Sequence, residues 1–211
     1  MLRRVFDLAA SSLALAVFAI PIGIIALLIK RDSSGPVFFI QPRVGRGGGL
    51  FGLYKFRTMR TGTSGPAVTA AGDPRITALG AALRRWKIDE IPQLWNVLRG
   101  DMSIVGPRPE VERFVRHYTP AQREILSVRP GLASMAQLVF PHEADVLAAS
   151  ADPERDYLAQ WMPRKIAVDL EYERRRTLLS DAIFLGEVVL LVLGFRRHQD
   201  PGELQEGQRR T

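Results

Sequence analysis

The sequence predicts an α+β fold, mainly helical with one small β-hairpin, behind an N-terminal helix that is embedded in a membrane. Three observations carry this. An uncharged run extends from Leu8 to Ile29, two short apolar segments flank Gly45-Arg46-Gly47-Gly48-Gly49, and apolar residues recur at helical spacing across 152–176. With 211 residues, 46% of them hydrophobic, the chain can bury the core of one domain or two small ones and is too apolar to be disordered throughout. Lys and Arg number 29 against 22 Asp and Glu, and the resulting charge of +7 points to an anionic partner. The lack of cysteine excludes disulfides, cysteine-ligated zinc, iron–sulfur clusters and thiol catalysis, and with three histidines a His-rich metal site is not expected.

As a helix, the run from Leu8 to Ile29 covers about 33 Å, enough for a hydrocarbon core of about 30 Å. A cleaved secretory signal is the competing reading, because Arg3 and Arg4 precede the run. Its length and the lack of a small-x-small site before Lys30-Arg31-Asp32 speak against that. Both flanks are basic, so a spanning helix would leave one basic pair on the outer face, against the positive-inside tendency. A segment that enters and returns avoids this conflict. At Ile20-Pro21 the proline loses an N–H and crowds the preceding turn, which favours a bend. The residues alone leave a kinked spanning helix and a re-entrant helix–break–helix equally open.

Pro36 to Ile40 and Leu50 to Arg57 read as the strands of the hairpin, with the glycine cluster as its turn. A dinucleotide glycine loop is not expected, since Leu50 occupies the last glycine position of G-x-G-x-x-G and no helix opens after it. Thr61 to Pro74 reads as a surface loop, and Ile76 to Trp86 as a helix that brings Arg84, Arg85 and Lys87 ahead of Ile88-Asp89-Glu90-Ile91-Pro92. There Asp89 is either an N-cap with Glu90 as a first-turn acid, or the two are paired carboxylates with chemistry to do. Downstream, Pro107 and Pro109 bracket Arg108 and restrict the loop that carries its guanidinium. A diphosphate would be repelled by two carboxylates alone; Arg108, the 84–87 cluster and a divalent cation would reverse the sign. The constellation points to phosphoryl chemistry with Mg2+.

From Asp152 to Arg176 the pattern is helical and charge-rich, with Trp161, Ile166 and Leu170 as a core-facing stripe. Ala182 to Phe195 is apolar but too short to span a bilayer, and reads as an interfacial or packed helix. The expected organisation is therefore a membrane helix over 1–34, a catalytic domain over 35–197 and a polar, disordered tail over 198–211.

The order of six motifs resembles the bacterial sugar transferases, the small monotopic phosphoglycosyl transferases. They are Arg-Val-Phe-Asp at 4–7, Gly-Pro-Val-Phe-Phe at 35–39, Tyr-Lys-Phe-Arg-Thr-Met at 54–59, Asp-Glu-Ile-Pro-Gln-Leu at 89–94, Asn-Val-Leu-Arg-Gly-Asp-Met-Ser-Ile-Val-Gly-Pro-Arg-Pro at 96–109 and Arg-Pro-Gly at 129–131. Asp169-x-x-Tyr172 and Ser180-Asp181 add weaker support, and the match ends near Phe195. The resemblance implies transfer of a phospho-sugar from a UDP-sugar to polyprenol (undecaprenyl) phosphate with release of UMP, as a first membrane step of glycoconjugate or polysaccharide assembly. It implies Asp89 as the nucleophile of a covalent phospho-sugar intermediate and Mg2+ ligand, and Glu90 as base for the polyprenol phosphate. It also implies a re-entrant helix breaking at Ile20-Pro21 and a catalytic domain on the cytoplasmic face of the bacterial inner membrane. Lipid is then a partner, a second copy of the chain is a candidate partner, and nucleic acid is not expected.

For those roles Asp89 must be ionised at neutral pH, whereas the neighbouring carboxylate should push Glu90 upward toward a useful basicity. Lys87 and Arg108 are the first candidates for phosphate oxygens, with Arg84 or Arg85 after them and Pro107 shaping the loop; Arg57 is either a further substrate contact or a hairpin salt bridge. Two departures stand out. Ile20-Pro21 replaces the family's Ser-Pro, and a loop arginine found after Arg-Pro-Gly in many relatives is missing, with Gln137 to His142 in its place. A membrane-tethered nucleic-acid-binding protein and a noncatalytic membrane scaffold are the alternatives. The first should show a basic stripe with interleaved aromatics, and the second should tolerate Asp89→Asn.

Overall fold

A computed structural model of the chain describes residues 2–62 and 73–192. Helix α1 (Leu2–Asp32) is the longest element, long and apolar enough to cross a membrane, with a mean hydropathy of 2.7 over its most apolar stretch. Its middle is open, with Leu13, Val17, Ile20 and Ile24 exposed, while Asp7, Ser11 and Ile29 are buried at its two ends. The family resemblance implies a break at Ile20-Pro21, and the chain is helical through both residues. Proline inside a helix costs a hydrogen bond and introduces a bend without ending the element. Lys30 and Arg31 in the last turn suit the negative end of the helix dipole.

Strands β1 (Phe38–Val44) and β2 (Leu50–Phe56) form the antiparallel hairpin, with Val44 opposite Leu50. Gly47 and Gly48 have φ of 74° and 84°, a left-handed backbone that admits glycine at least cost. Helix α2 (Ala78–Arg85) is capped by Thr77, whose Oγ1 accepts from the Gly80 N–H at 2.9 Å. It is followed by a single 3-10 turn (Ile88–Glu90) and helix α3 (Gln93–Arg99). Asn96 of α3 is fully buried and completes the free edge of β2: its Nδ2 donates to the Gly52 carbonyl at 2.7 Å, and its Oδ1 accepts from the Tyr54 N–H at 3.0 Å.

The sequence reading did not anticipate a second sheet. Strands β3 (Ser103–Val105) and β4 (Gly131–Ala133) pair in parallel, bringing the Pro107–Pro109 loop beside Arg129-Pro130-Gly131. The crossover carries α4 (Glu112–Val115) and a 3-10 segment (Gln122–Ser127). Helices α5 (Met135–Val139), α6 (Glu143–Ala148) and α7 (Pro153–Asp156) follow. A π-helical turn (Tyr157–Trp161) then leads into α8 (Met162–Arg175), and α9 (Leu178–Val192) begins four residues before the predicted Ala182. The 198–211 tail, the end of the predicted 182–195 helix and most of the 61–74 loop lie outside the described residues. Trp161, Ile166 and Leu170 pack in the core with Val44, Phe114 and Tyr157, as their spacing predicts.

Between β3 and β4 the backbones are close enough to forbid a side chain. A Cβ on Gly131 would stand 2.1 Å from the Gly106 nitrogen, and backbone atoms cannot swing aside as a side chain can. Gly131→Ala is therefore expected to destabilise the domain by several kcal/mol through overpacking, and to displace the neighbouring Arg108 loop. A thermal melt indistinguishable from that of the parent protein would show the sheet is looser than described.

Both ends of α1 dock on this one domain. At the N-terminal end Asp7 accepts from Ser103 Oγ (2.9 Å) and the Ile104 N–H (3.0 Å), and Arg4 donates to the carbonyls of Val97 and Leu98. At the C-terminal end Ile29 packs with Phe56 and Leu83. Tyr172 and Asp181, from the weaker motifs, join α8 to α9 through a 2.8 Å hydrogen bond.

Candidate active site

The turn between α2 and α3 positions the two acids. Lys87 closes α2 with a left-handed backbone (φ 57°), the only such non-glycine among the described residues, and its N–H reaches the Arg84 carbonyl at 3.1 Å. A non-glycine residue held there costs about 1 kcal/mol, a strain that clusters at functional sites. The reversal drives Ile88–Glu90 into a 3-10 turn, with the Glu90 N–H on the Lys87 carbonyl at 3.1 Å. Asp89 therefore does not cap a helix. Pro92 occupies the N-cap of α3, and both Asp89 and Glu90 are buried.

Burial of an acid is tolerated only with partners, and Glu90 has two. Arg108 Nη2 lies 2.5 Å and Lys55 Nζ 3.1 Å from its Oε1, and Arg108 Nη1 lies 3.3 Å from Oε2. The carboxylate of Asp89, by contrast, accepts no hydrogen bond from the described residues. This reverses the expected order of basicity. Burial alone would raise Glu90, but the charges of Arg108 and Lys55 outweigh it and hold the carboxyl well below the usual range. Asp89 is raised by burial first and by the Glu90 charge second, against the pull of Lys55, Arg84 and Lys87. Sequence proximity showed the carboxylate neighbour and not the two cations that the fold delivers.

The predicted residues separate into three groups. Arg108, Asp89 and Glu90 come together, and Lys87 and Arg84 stand close enough to act on Asp89 by charge; Lys87 is exposed, and Arg84 Nε donates to Thr58 Oγ1 at 2.8 Å. Pro107 is buried and holds the loop, its carbonyl accepting from the Gly131 N–H at 2.8 Å. Arg57 does not join the site and forms no hairpin salt bridge. Its guanidinium donates to the carbonyls of Ile29, Ser33 and Ser34, because the orphan acceptors at the end of α1 need a donor. His142 is exposed at the start of α6, with Nδ1 3.5 Å from Asp145 Oδ2.

Lys55 was missed by sequence reasoning. The available signal was one cation in the otherwise apolar strand Leu-Phe-Gly-Leu-Tyr-Lys-Phe, a position where burial demands a partner. Gln93, fully buried one turn beyond Asp89, has an Nε2 without a partner. For a divalent cation the donor set is sparse: no group of three His, Asp or Glu side chains occurs among the described residues. Asp89 is the carboxylate that would hold a divalent cation here, and the residues present do not fit an all-protein cage.

Asp169 on α8 is a buried acid near the Arg108 loop. It accepts from the Ala136 N–H at 2.9 Å, and burial pushes it up to about 7 despite that bond and the charge of Lys165. The folded value lies above the unfolded one. The stability it contributes is thus fully present below about pH 4 and is lost as pH rises through 7, at about 1.4 kcal/mol per unit at most. In Asp169→Asn that loss should vanish from a pH series of thermal melts, with the Ala136 bond kept by the amide oxygen. An unchanged slope between pH 4 and 7 would mean the group is already ionised in the folded protein.

The family model described as bacterial sugar transferase matches residues 1–194. A UDP-N-acetylgalactosamine-undecaprenyl-phosphate N-acetylgalactosaminephosphotransferase of Aeromonas hydrophila is 40% identical over 200 residues, covering 91% of this chain and 44% of that protein. A UDP-glucose:undecaprenyl-phosphate glucose-1-phosphate transferase of Caulobacter vibrioides is 40% identical over 184 residues, covering 85% of this chain and 65% of that protein. The exopolysaccharide production protein PSS of Rhizobium leguminosarum is 44% identical over 147 residues, covering 65% of this chain and 74% of that protein. The chain thus spans about half to two thirds of the length of the first two relatives.

Proposed function

The chain belongs to the bacterial sugar transferase family, and from that premise we propose that it transfers a sugar 1-phosphate from a UDP-sugar to undecaprenyl phosphate in polysaccharide assembly. The observation that carries the reading is the division of labour within the acid pair: one buried carboxylate locked by two cations, and its neighbour without a hydrogen bond from the described residues.

An oxygen of Asp89 attacks the β-phosphorus of the UDP-sugar. The bond from that phosphorus to the bridging oxygen breaks, and UMP leaves with the bond electrons. An oxygen of undecaprenyl phosphate then attacks the aspartyl phospho-sugar, forming the diphosphate and freeing Asp89. Splitting the transfer this way lets a soluble donor and a lipid acceptor use one nucleophile in turn. Arg108 and Lys55 meet the substrate phosphates, with Lys87 and Arg84 adding to the positive field. As phosphate oxygens draw those cations away from Glu90, its basicity rises and it becomes a base for the acceptor phosphate. A Mg2+ ion held by Asp89 would neutralise diphosphate charge.

The same reading makes α1 a re-entrant helix on the cytoplasmic face. Its support is that Asp7 and Ile29, near opposite ends, both dock on one domain while the apolar middle is exposed. A domain lying on one side of a bilayer keeps both ends on that side. The exposed Leu179, Ile183 and Val189 of α9 suit the membrane interface. Because the chain has no native cysteine, single cysteines at positions 2 and 33 can be labelled from either side of sealed vesicles. Labelling from the same side is expected, and labelling from opposite sides would replace re-entrance with a span. The activity itself is tested by incubating the purified chain with Mg2+, undecaprenyl phosphate and a panel of UDP-sugars. UMP release with one of them is expected, and release with none refutes the reading.

A further inference from the structure

We propose that a cavity of about 300 Å³ on the far side of Arg108 is the pocket for the nucleoside of the UDP-sugar, a proposal that rests on the transferase reading. Arg108 forms part of its wall, whereas Asp89 and Glu90 do not. Arg108 thus belongs to the cavity wall and, through its guanidinium, holds Glu90 at 2.5 Å. A substrate whose β-phosphorus sits at Asp89 carries its sugar directly on that phosphorus. The group one phosphate farther away, past a guanidinium suited to bridge the diphosphate, is the nucleoside.

One part of the wall suits a flat base. Phe114 and Tyr157 meet with ring centroids 4.8 Å apart, and Leu147, Met162 and Ile166 add apolar surface on which a base can pack. The rest of the wall is charged, with Arg43 paired to Glu110 and with Arg108, Glu143, Lys165 and Asp169. Lys165 Nζ lies 2.9 Å from Glu143 and 5.1 Å from the centre of the Tyr157 ring, and offers a donor to a base carbonyl, while Glu143 and Asp169 offer acceptors to a ring N–H or the ribose. The volume is at the small end for ligand clefts and matches a pyrimidine nucleoside.

Ala144 lines the cavity from a solvent-exposed position on α6, so Ala144→Trp narrows the space without disturbing the core. The full chain in detergent should bind UMP by calorimetry, and this change should weaken that binding at least tenfold and raise KM for the UDP-sugar in parallel. Lys165→Met, with its fold checked by a thermal melt, should weaken UMP several-fold. Unchanged UMP affinity in both variants would overturn the pocket. So would a change in which sugar is accepted with UMP binding intact, because the cavity would then hold the sugar. A wild-type chain that binds UMP but releases none from any UDP-sugar would sink the transferase reading, while weaker UMP binding by Ala144→Trp would still support the pocket.

Discussion

Asp89→Asn will eliminate UMP release and the phospho-sugar adduct, by a factor of about 10⁴ or more, without loss of thermal stability. Both halves of this expectation come from the same geometry. The Asp89 carboxylate accepts no hydrogen bond from the described residues, and burial works against its charge, so an uncharged isostere removes a penalty and breaks no contact. The amide cannot act as the nucleophile, and losing a covalent step costs orders of magnitude that the remaining phosphate contacts cannot restore. Mass spectrometry of the protein quenched with UDP-sugar alone should map the adduct to position 89 in the parent and find none in the variant. Persistent turnover in Asp89→Asn would remove Asp89 as the nucleophile and with it the covalent intermediate at this position.

Arg108→Ala should fail on both counts. Glu90 would keep Lys55 but lose its bidentate partner, and breaking a buried pair from one side costs about 3 kcal/mol because an undercompensated charge remains. Activity should fall by about 10² to 10³, the usual cost of removing one preorganised donor to a phosphoryl group. The double variant Glu90→Gln/Arg108→Ala separates the two effects. With the charge neutralised, most of the stability should return in chemical or thermal unfolding, while activity stays low. If the double variant is no more stable than Arg108→Ala alone, the ion pair is not what the guanidinium contributes to the fold.

Much of the site was legible in the sequence because it consists of short local motifs. Asp89 and Glu90 are adjacent, Arg108 sits between two prolines, and the hairpin is marked by its glycine turn. The partners of these residues were not legible. Lys55 is 35 positions from Glu90 and reaches it only because Asn96 fixes the edge of β2 against α3. Arg57, equally prominent as a cation in the same motif, is drawn instead to the carbonyls that end α1. The parallel pair of β3 and β4 was missed because three-residue strands carry no periodicity, and a pairing across the crossover over 106–130 is set by packing.

Composition and motif order by themselves determined the apolar N-terminal helix, the hairpin, the core stripe of Trp161, Ile166 and Leu170 and the adjacency of the two acids, since each depends on neighbouring residues in the chain. Tertiary structure alone decided which acid is clamped and which is free, that Arg57 is a cap, and that α1 stays helical through Pro21. The reason is physical. Helix and turn formation are short-range in sequence, whereas the proton affinity of a buried carboxylate is set by desolvation and by charges within a few ångströms, and only the folded chain brings those together.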